Sequence, residues 1–463
     1  MARVVIAGGG VTGLAASLFL ARRGHEVVLL ERDVDAPTGE PEADFEAWRR
    51  PGVPQARQPH VFHGLSRRIL RAEAPELLSI LIDAGTAIPV APRTLDAPEP
   101  GDEDLVTTGL RRITFEAALR TLVARERSVT IVTGVAVEGL LTARSNGAVP
   151  HVIGVRTDRN AIDGDLVVDA TGRRSALAAW LAEIDAHAPH DDAQDLRFAY
   201  HTRWYRVAAP AEPRWPPMQD LGFGSALAFP ADRNMLALVF ILAIADPLRR
   251  QVRDPAVFDR ITQQIDIHRH YLGAGAEPVT DVQLMARLEN RSRRLVIDDR
   301  PIVSGLVAIG DAALYTNPTL GRGVSLALAH SQHLADSVEH ATKDPIQFAS
   351  DFDAWTQQNL IPWFATQVAA DGSRLAKIEA ALHGTTPPTD PMDRVMNATQ
   401  ALAGTDPHVA RALGRVMMLI APPQSIGEDP DVQQRVREFL EANPDLEPPS
   451  PALTRERFAA LVA

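Results

Sequence analysis

The sequence predicts a mixed α/β fold, α+β over its whole length, in which a parallel-sheet domain is interrupted by an antiparallel sheet and followed by a helical region. Three observations predict it. The stretch "VVIAGGGVTGLAASLFLARRGHEVVLLERD", residues 4–33, sets a glycine-rich turn between a β-branched apolar run and a helical pattern, then returns to an apolar run. This is a βαβ unit. Residues 195–245 read differently, as "LRFAYHTRWYRV" and "SALAFPADRNMLALVFIL", the second broken by the turn-forming "PADRN". That is the pattern of an antiparallel sheet. Strand-like "GLVAIGD" and a helical pattern from Gly323 to about His340 then restore α/β character.

Each element follows from its own residues. "RVVIAG" and "HEVVLLE" are short strands flanking "GLAASLFLARR", whose apolar positions recur at helical spacing. Residues 115–170 predict a helix at "FEAALRTLVARE", a strand at "VTIVTG", paired strands around "VEGLLTA" and "HVIGVRT", and a strand at "DLVVDATG". Beyond Pro345 a helical pattern is interrupted by prolines, and "EANPDLEPPSPALT" reads as a loop or tail. There is no internal repeat. The order divides the chain into a discontinuous, Rossmann-like nucleotide-binding domain (1–180 and 295–342), an antiparallel-sheet substrate domain (185–294) and a C-terminal helical region (343–463). Residues 60–110 are open to contributing to the substrate side.

Bulk properties narrow the partners. With 463 residues, 45% hydrophobic and 23% charged, the chain has ample length for a large core and reads as folded and soluble. A formal charge of −12 and a pI near 5.6 argue against nucleic acid or an anionic membrane and toward small molecules. The absence of cysteine excludes disulfides, thiolate catalysis and cysteine-ligated metals, and fits a reducing cytoplasm. The N-terminus, Arg3 then an apolar run, resembles a signal peptide, but its mid-run glycines and the strand that follows read as fold. The apolar run Met235–Ala245 spans 11 residues, short of the ~20 a membrane helix needs.

Gly8, Gly10 and Gly13 match G-x-G-x-x-G in the strand–turn–helix context the motif requires. The first glycine permits the tight turn, the second lets a pyrophosphate approach the backbone, and the third lets helix and strand pack closely. Amides at the helix N-terminus face the phosphates. Glu31 closes the second strand, where an acid accepts hydrogen bonds from a ribose diol. These residues point to an adenine dinucleotide and leave NAD and FAD open.

A second stretch separates the two. "GLVAIGDAALYTNPTLGRGVSLALAHSQHLAD", residues 305–336, runs strand, Gly-Asp, proline-containing loop, glycines, helix. It resembles the Gly-Asp segment of FAD-dependent monooxygenases of the para-hydroxybenzoate hydroxylase type. The resemblance implies that Asp311 accepts a hydrogen bond from the flavin's ribityl chain, which NAD cannot supply. It also implies that the loop Pro318, Gly321, Gly323 brings the next helix's N-terminus to the flavin's pyrimidine edge, where amides stabilise the reduced flavin's charge. "RRPGV", residues 49–53, resembles the arginine loop beside the isoalloxazine, making Arg50 a flavin or pyrophosphate contact and Gly52-Val53 a close backbone approach. Arg112 resembles the arginine that meets the pyrophosphate. Thr12, Arg32, Ala136 and Val324, next to these motifs, complete the cofactor-binding set. "RPGVPQARQPHVFHGLSRRIL", "DLVVDATGRRS" and "YHTRWYRV" resemble a bacterial branch that includes polyketide epoxidases and is distantly related to flavin halogenases. The likeness covers residues 1 to about 340.

The resemblance implies noncovalent FAD, whose reduced form reacts with O2 to a C4a-hydroperoxide that delivers one oxygen atom to a hydrophobic small molecule, by epoxidation or hydroxylation. Natural-product biosynthesis is the implied setting. The cofactor carries the hard chemistry, so neither a catalytic triad nor a metal is expected, and no catalytic residue is assigned. His60, His63, Tyr200, His201, Arg203, Tyr205 and Tyr315 are polar groups in segments that could line the cavity. NADH or NADPH is the electron source, directly or through a separate flavin reductase. Many single-component members carry Asp-Gly where this chain has Thr171-Gly172, with Asp169 two positions early. Flavin halogenases carry W-x-W-x-I-P and an early lysine, whereas Trp204 and Trp215 are not so spaced and the two lysines, Lys343 and Lys377, follow the Gly-Asp motif. A flavin-dependent dehydrogenase or reductase stays open, and a non-catalytic flavin sensor is disfavoured by the acidic charge.

Overall fold

The computed structural model describes residues 1–89, 95, 97–143, 149–386, 388, 391–446 and 451–463. Residues 447–450 of the expected C-terminal loop, and 90–94 and 96 of the 60–110 segment, lie outside the described residues.

Strand β1 (Arg3–Ala7) lies at the middle of a five-stranded parallel sheet, ordered Leu306–Ala308, Leu166–Asp169, β1, β2 (Glu26–Glu31), Val129–Thr133. Its run of apolar residues is buried on both faces, as parallel strands are. Val4 and Ile6 enter a core with helix α1 (Val11–Arg22) and helices Arg112–Val123 and Gly323–Ala341. Val5 and Ala7 enter a second core, closed by the antiparallel strands Val137–Ala143 and His151–Thr157 and by helix Leu177–Glu183. The strand order reverses at β1, with β2 on one side and Leu166–Asp169 on the other. The carboxyl end of such a reversal is a crevice, and the glycine turn sits there.

The second sheet is antiparallel, ordered Met218–Asp220, Gly224–Pro230, Met235–Ala243, Phe198–Arg206, Glu277–Pro278. "PADRN" makes the turn, with Arg233 and Asn234 at positive φ. Alternation divides the long strand, so that Leu236, Leu238, Phe240 and Leu242 face one core and Val239, Ile241 and Ala243 the other. Two helices that the strand pattern did not announce, Pro255–Thr262 and Asp266–Leu272, cover the first face. The first begins at Asp254-Pro255, where the aspartate accepts from Ala256 N and Val257 N. Asp344-Pro345, Asp406-Pro407 and Asp429-Pro430 open later helices in the same way. Proline here starts helices rather than interrupting them, because the first-turn N–H has no intrahelical partner to lose.

Within 60–110 the chain forms a further antiparallel sheet from Pro59–Phe62, Thr86–Pro89 and Val106–Arg111. It abuts the second sheet: a Cβ on Gly109 would lie 2.0 Å from the Pro230 carbonyl oxygen. The C-terminal region is tied into the second sheet, since Phe458, Leu461 and Val462 join one of its cores and Ile378 the other, while helices Pro391–Ala403, Pro407–Met417 and Pro430–Ala442 pack on one another. Among the described residues no helix is long and apolar enough to cross a membrane.

The Gly109 contact is backbone on backbone and has no flexible side chain to yield. Gly109→Ala should therefore destabilise the protein by about 1–3 kcal/mol in denaturant melts. Gly427→Ala, where nothing lies within 4 Å of the added Cβ, is the neutral control; equal stabilities would refute the packing argument.

Candidate functional site: a cleft joining two sheets

The turn after β1 is shaped by close backbone approach. Gly8 has φ +106°, and a Cβ there would lie 2.4 Å from the Ala170 carbonyl oxygen. A Cβ on Gly13 would lie 1.9 Å from the Gly8 carbonyl oxygen, so this glycine packs beneath the turn. Gly10 differs: the nearest atom to a Cβ placed there would be an Arg112 guanidinium nitrogen at 3.6 Å, leaving its surface open to the cleft. The second motif meets the first directly. Gly310 has φ +57°, and a Cβ on it would lie 2.5 Å from Thr12 Oγ1.

These turns line one continuous cleft. Gly8, Gly10 and Thr12 form its wall with Glu31, Arg32 and Val53. Arg112, Ala136 and Asp311 follow, then Pro318, Gly321, Gly323 and Val324. Asp311 accepts no hydrogen bond from another described residue. Burial pushes its carboxyl up to about 6, against the lowering pull of Arg112 and Arg173. Arg112 Nε and Nη2 donate to Glu116 Oε2 at 3.0 and 2.6 Å, which fixes the guanidinium at the cleft wall.

Arg50 does not line the cleft. Its side chain is 1% exposed and makes ion pairs with Glu31 (3.0 Å), Asp33 (2.8 Å) and Glu116 (2.8 Å). This corrects the expected flavin or pyrophosphate contact: three acids converge behind the turn, and a buried cation must sit among them. Glu31 Oε2 accepts from Gly9 N at 3.1 Å as well as from Arg50, so the acid at the end of β2 is already oriented. Asp169 is also out of reach. Fully buried, it accepts from Thr171 N at 2.9 Å, Thr171 Oγ1 at 2.6 Å and Ser175 Oγ, and burial raises its carboxyl above the usual range. Thr171, Gly172, Arg173 and Arg174 face the cleft instead.

The far end of the cleft is the inner face of the second, antiparallel sheet, with Leu227, Phe229, Val239 and Met285. Tyr200 and Thr202 line it, as do His60 and Tyr315. His201, Arg203 and Tyr205 belong to the opposite face of the same strand, where Tyr205 joins the outer core and Arg203 pairs with Asp259. Period-two alternation separates the two sets. Thr202 and Gln58 were not anticipated; Thr202 Oγ1 donates to Gln58 Oε1 at 2.8 Å. Thr202's place two residues after Tyr200 was the available signal. Burial, with Arg112 nearby, pushes the His60 imidazole down to about 4. Its Nδ1–H donates to the Gln58 carbonyl at 2.9 Å, leaving Nε2 an acceptor. His63 lies beneath the loop rather than in the cleft. Its Nε2–H donates to the Leu320 carbonyl at 2.8 Å, and Thr107 Oγ1 donates to Nδ1 at 3.0 Å.

The cleft's residues fit a flavin dinucleotide: a glycine cradle open at Gly10, a guanidinium beside it and a carboxylate without a partner. Comparison with known proteins agrees. Residues 3–79 match the family model described as FAD dependent oxidoreductase (DAO). Protein Rv3254 of Mycobacterium tuberculosis is 25% identical over 356 residues, spanning 71% of each chain. p-Nitrophenol 4-monooxygenase PnpA from Pseudomonas putida superposes with a TM-score of 0.62 at 14% identity, covering 91% of this chain and 99% of that one. The flavin-dependent brominase Bmp2 gives a TM-score of 0.60 at 15% identity, over 96% and 98%. The first motif thus lies in a segment of the FAD-dependent oxidoreductase kind, on the fold of flavin-dependent monooxygenases and halogenases.

The His63 hydrogen bonds predict a pH effect on stability. Burial pushes His63 down to about 4, from 6.5 when free, so the stability of its neutral form is full above about pH 6.5 and is lost as pH falls toward about 4. The melting temperature of His63→Gln should fall less steeply across that window than that of the wild type. Parallel slopes would show that His63 is not held neutral.

Proposed function

We propose that this chain is a FAD-dependent monooxygenase that passes one oxygen atom from O2 to a hydrophobic small molecule of polyketide or aromatic type, by epoxidation or hydroxylation. The observation that carries this reading is the single cleft, lined by the glycine turn and Asp311 at one end and by an apolar sheet face at the other. When bound, FAD supplies the oxygen chemistry. The chain's own residues hold and orient. Arg112 and the open face of Gly10 take the pyrophosphate, and Asp311 accepts from the ribityl hydroxyls. The N-terminus of helix Gly323–Ala341 directs its partial positive charge at the pyrimidine edge. Leu227, Phe229, Val239 and Met285 exclude water around the substrate, while neutral His60 accepts a hydrogen bond from it at Nε2.

The same reading extends to electron supply. With Asp169 consumed in its own turn and Thr171 facing the cleft, a direct NAD(P)H partner lacks the carboxylate that single-component relatives present, and we infer reduction by a separate flavin reductase. Halogenation is disfavoured because neither lysine lines the cleft; Lys377 pairs with Asp393 at the surface, 2.6 Å away.

The test is a flavin-reconstituted protein supplied with NADH, a flavin reductase, 18O2 and a panel of apolar polyketides and arenes. A product heavier by one labelled oxygen atom supports the reading, and oxidation without oxygen gain turns it toward a dehydrogenase. Anaerobic bleaching of the flavin by NADH or NADPH alone, at about 1 to 1000 per second, would overturn the reductase inference. Asp311→Ala should weaken FAD binding roughly tenfold or more, through loss of a buried acceptor worth about 1–3 kcal/mol. Because the Asp311 carboxyl sits near 6 before cofactor binds, wild-type affinity should also fall as pH drops through about 6, and the variant's should not. An unchanged affinity in Asp311→Ala would refute the ribityl assignment.

A further inference from the structure

A chain of buried hydrogen bonds ties the C-terminal helix Ile361–His383 to the loop at the cleft. Asp371, 1% exposed on that helix, accepts from Asn317 Nδ2 at 2.7 Å, Asn290 Nδ2 at 3.0 Å and Gln367 Nε2 at 3.0 Å. No cation lies within ion-pair distance of it among the described residues; neutral amides alone satisfy the carboxylate. Asn317 is fully buried, and its backbone N–H is also held, by Asn290 Oδ1 at 2.7 Å.

This arrangement has a direction. A carboxylate only accepts, so Asn317 must turn its Nδ2 to Asp371 and its Oδ1 to the Tyr200 hydroxyl. Tyr200 therefore donates its one proton to Asn317, and the bond between Tyr200 and Thr319 runs from Thr319 Oγ1 to the tyrosine oxygen. Tyr200 and Thr319 both line the cleft, and Thr319 lies in the turn Pro318–Leu320 that precedes helix Gly323–Ala341. The polarity of the whole chain originates at Asp371. Burial also pushes the Tyr200 hydroxyl well above the usual range, so it serves as a fixed strut rather than a proton donor to substrate.

We propose that Asp371 is a positioning residue: through Asn317 and Tyr200 it sets the conformation of the Pro318–Gly323 loop and leaves the Thr319 oxygen as an acceptor at the cleft. This rests on the flavin-binding reading above and gives the C-terminal region a part in the site. In Asp371→Asn the amide can offer only one acceptor to three donors. Relief comes by flipping Asn317, which reverses the chain and makes Thr319 accept from Tyr200. Tyr200→Phe breaks the chain at its cleft end while keeping the ring packed.

The experiment measures FAD dissociation constants, the visible absorption and circular dichroism of the FAD-saturated protein, and apoprotein melting temperature for wild type, Asp371→Asn, Tyr200→Phe and the double variant. Each single variant should shift the flavin spectrum and weaken FAD binding several-fold, to about tenfold, and the double variant should be no worse than either, since one chain is cut twice. Additive effects, or single variants with wild-type spectra and affinity, would overturn the proposal. If Asp371→Asn does not fold, Tyr200→Phe alone decides, an unshifted spectrum again overturning it. Failure of the wild type to bind FAD would instead refute the cofactor reading.

Discussion

The structure depends on a close approach of backbones at the carboxyl end of β1. Gly8 touches the carbonyl of Ala170, Gly13 touches the carbonyl of Gly8, and Gly310 touches Thr12, each at a distance no Cβ would allow. Three chain segments, separated by as much as the interval from Gly8 to Gly310, converge within one turn. Packing at this density tolerates neither extra atoms nor voids. The cleft is the space left open above this junction, and its floor is backbone because nothing larger fits.

Charge behind the junction is organised as tightly as the packing. Glu31, Asp33 and Glu116 meet Arg50 and Arg112, all buried or nearly so, with Glu31 and Arg112 reaching the cleft wall. Burying any one of these ions alone would cost several kcal/mol, which the ensemble offsets only because every member is paired. Desolvation and Glu31 hold the Asp33 carboxyl above its ordinary range despite Arg50, while Arg112 and Arg50 together keep Glu116 below its own. The cluster orients Glu31 at the end of β2 and presents Arg112 to the cleft. Arg50 acts through these neighbours and not by touching the cavity.

The antiparallel sheet supplies the other wall, and its two faces carry different chemistry. The outer face is sealed by helices Pro255–Thr262 and Asp266–Leu272 and by the last helix of the chain. The inner face is apolar toward the cleft, with Tyr200 pinned from behind by Asn317 and Thr319. Since the C-terminal helix Ile361–His383 holds Asn317, the two sheets and the C-terminal region meet at one loop.

The local sequence determined the elements whose signal lies within a few residues. The glycine turn, the acid at the end of β2, the Gly-Asp strand-to-helix loop and the alternating strands were legible because steric limits on φ and side-chain periodicity act over short spans. The Asp-Pro helix starts were legible in principle, since the cap and the fixed proline φ are adjacent in the chain. Only the tertiary structure decided which face of an alternating strand meets the cleft, so Tyr200 and Thr202 line it while His201, Arg203 and Tyr205 do not. It also turned Arg50 inward among three acids and brought Asp371, an aspartate with no distinguishing neighbours in a helical pattern, against Asn317. The physical reason is the same in each case: the partner that satisfies a buried charge or a polar group is remote in sequence, and electrostatics and packing act through space.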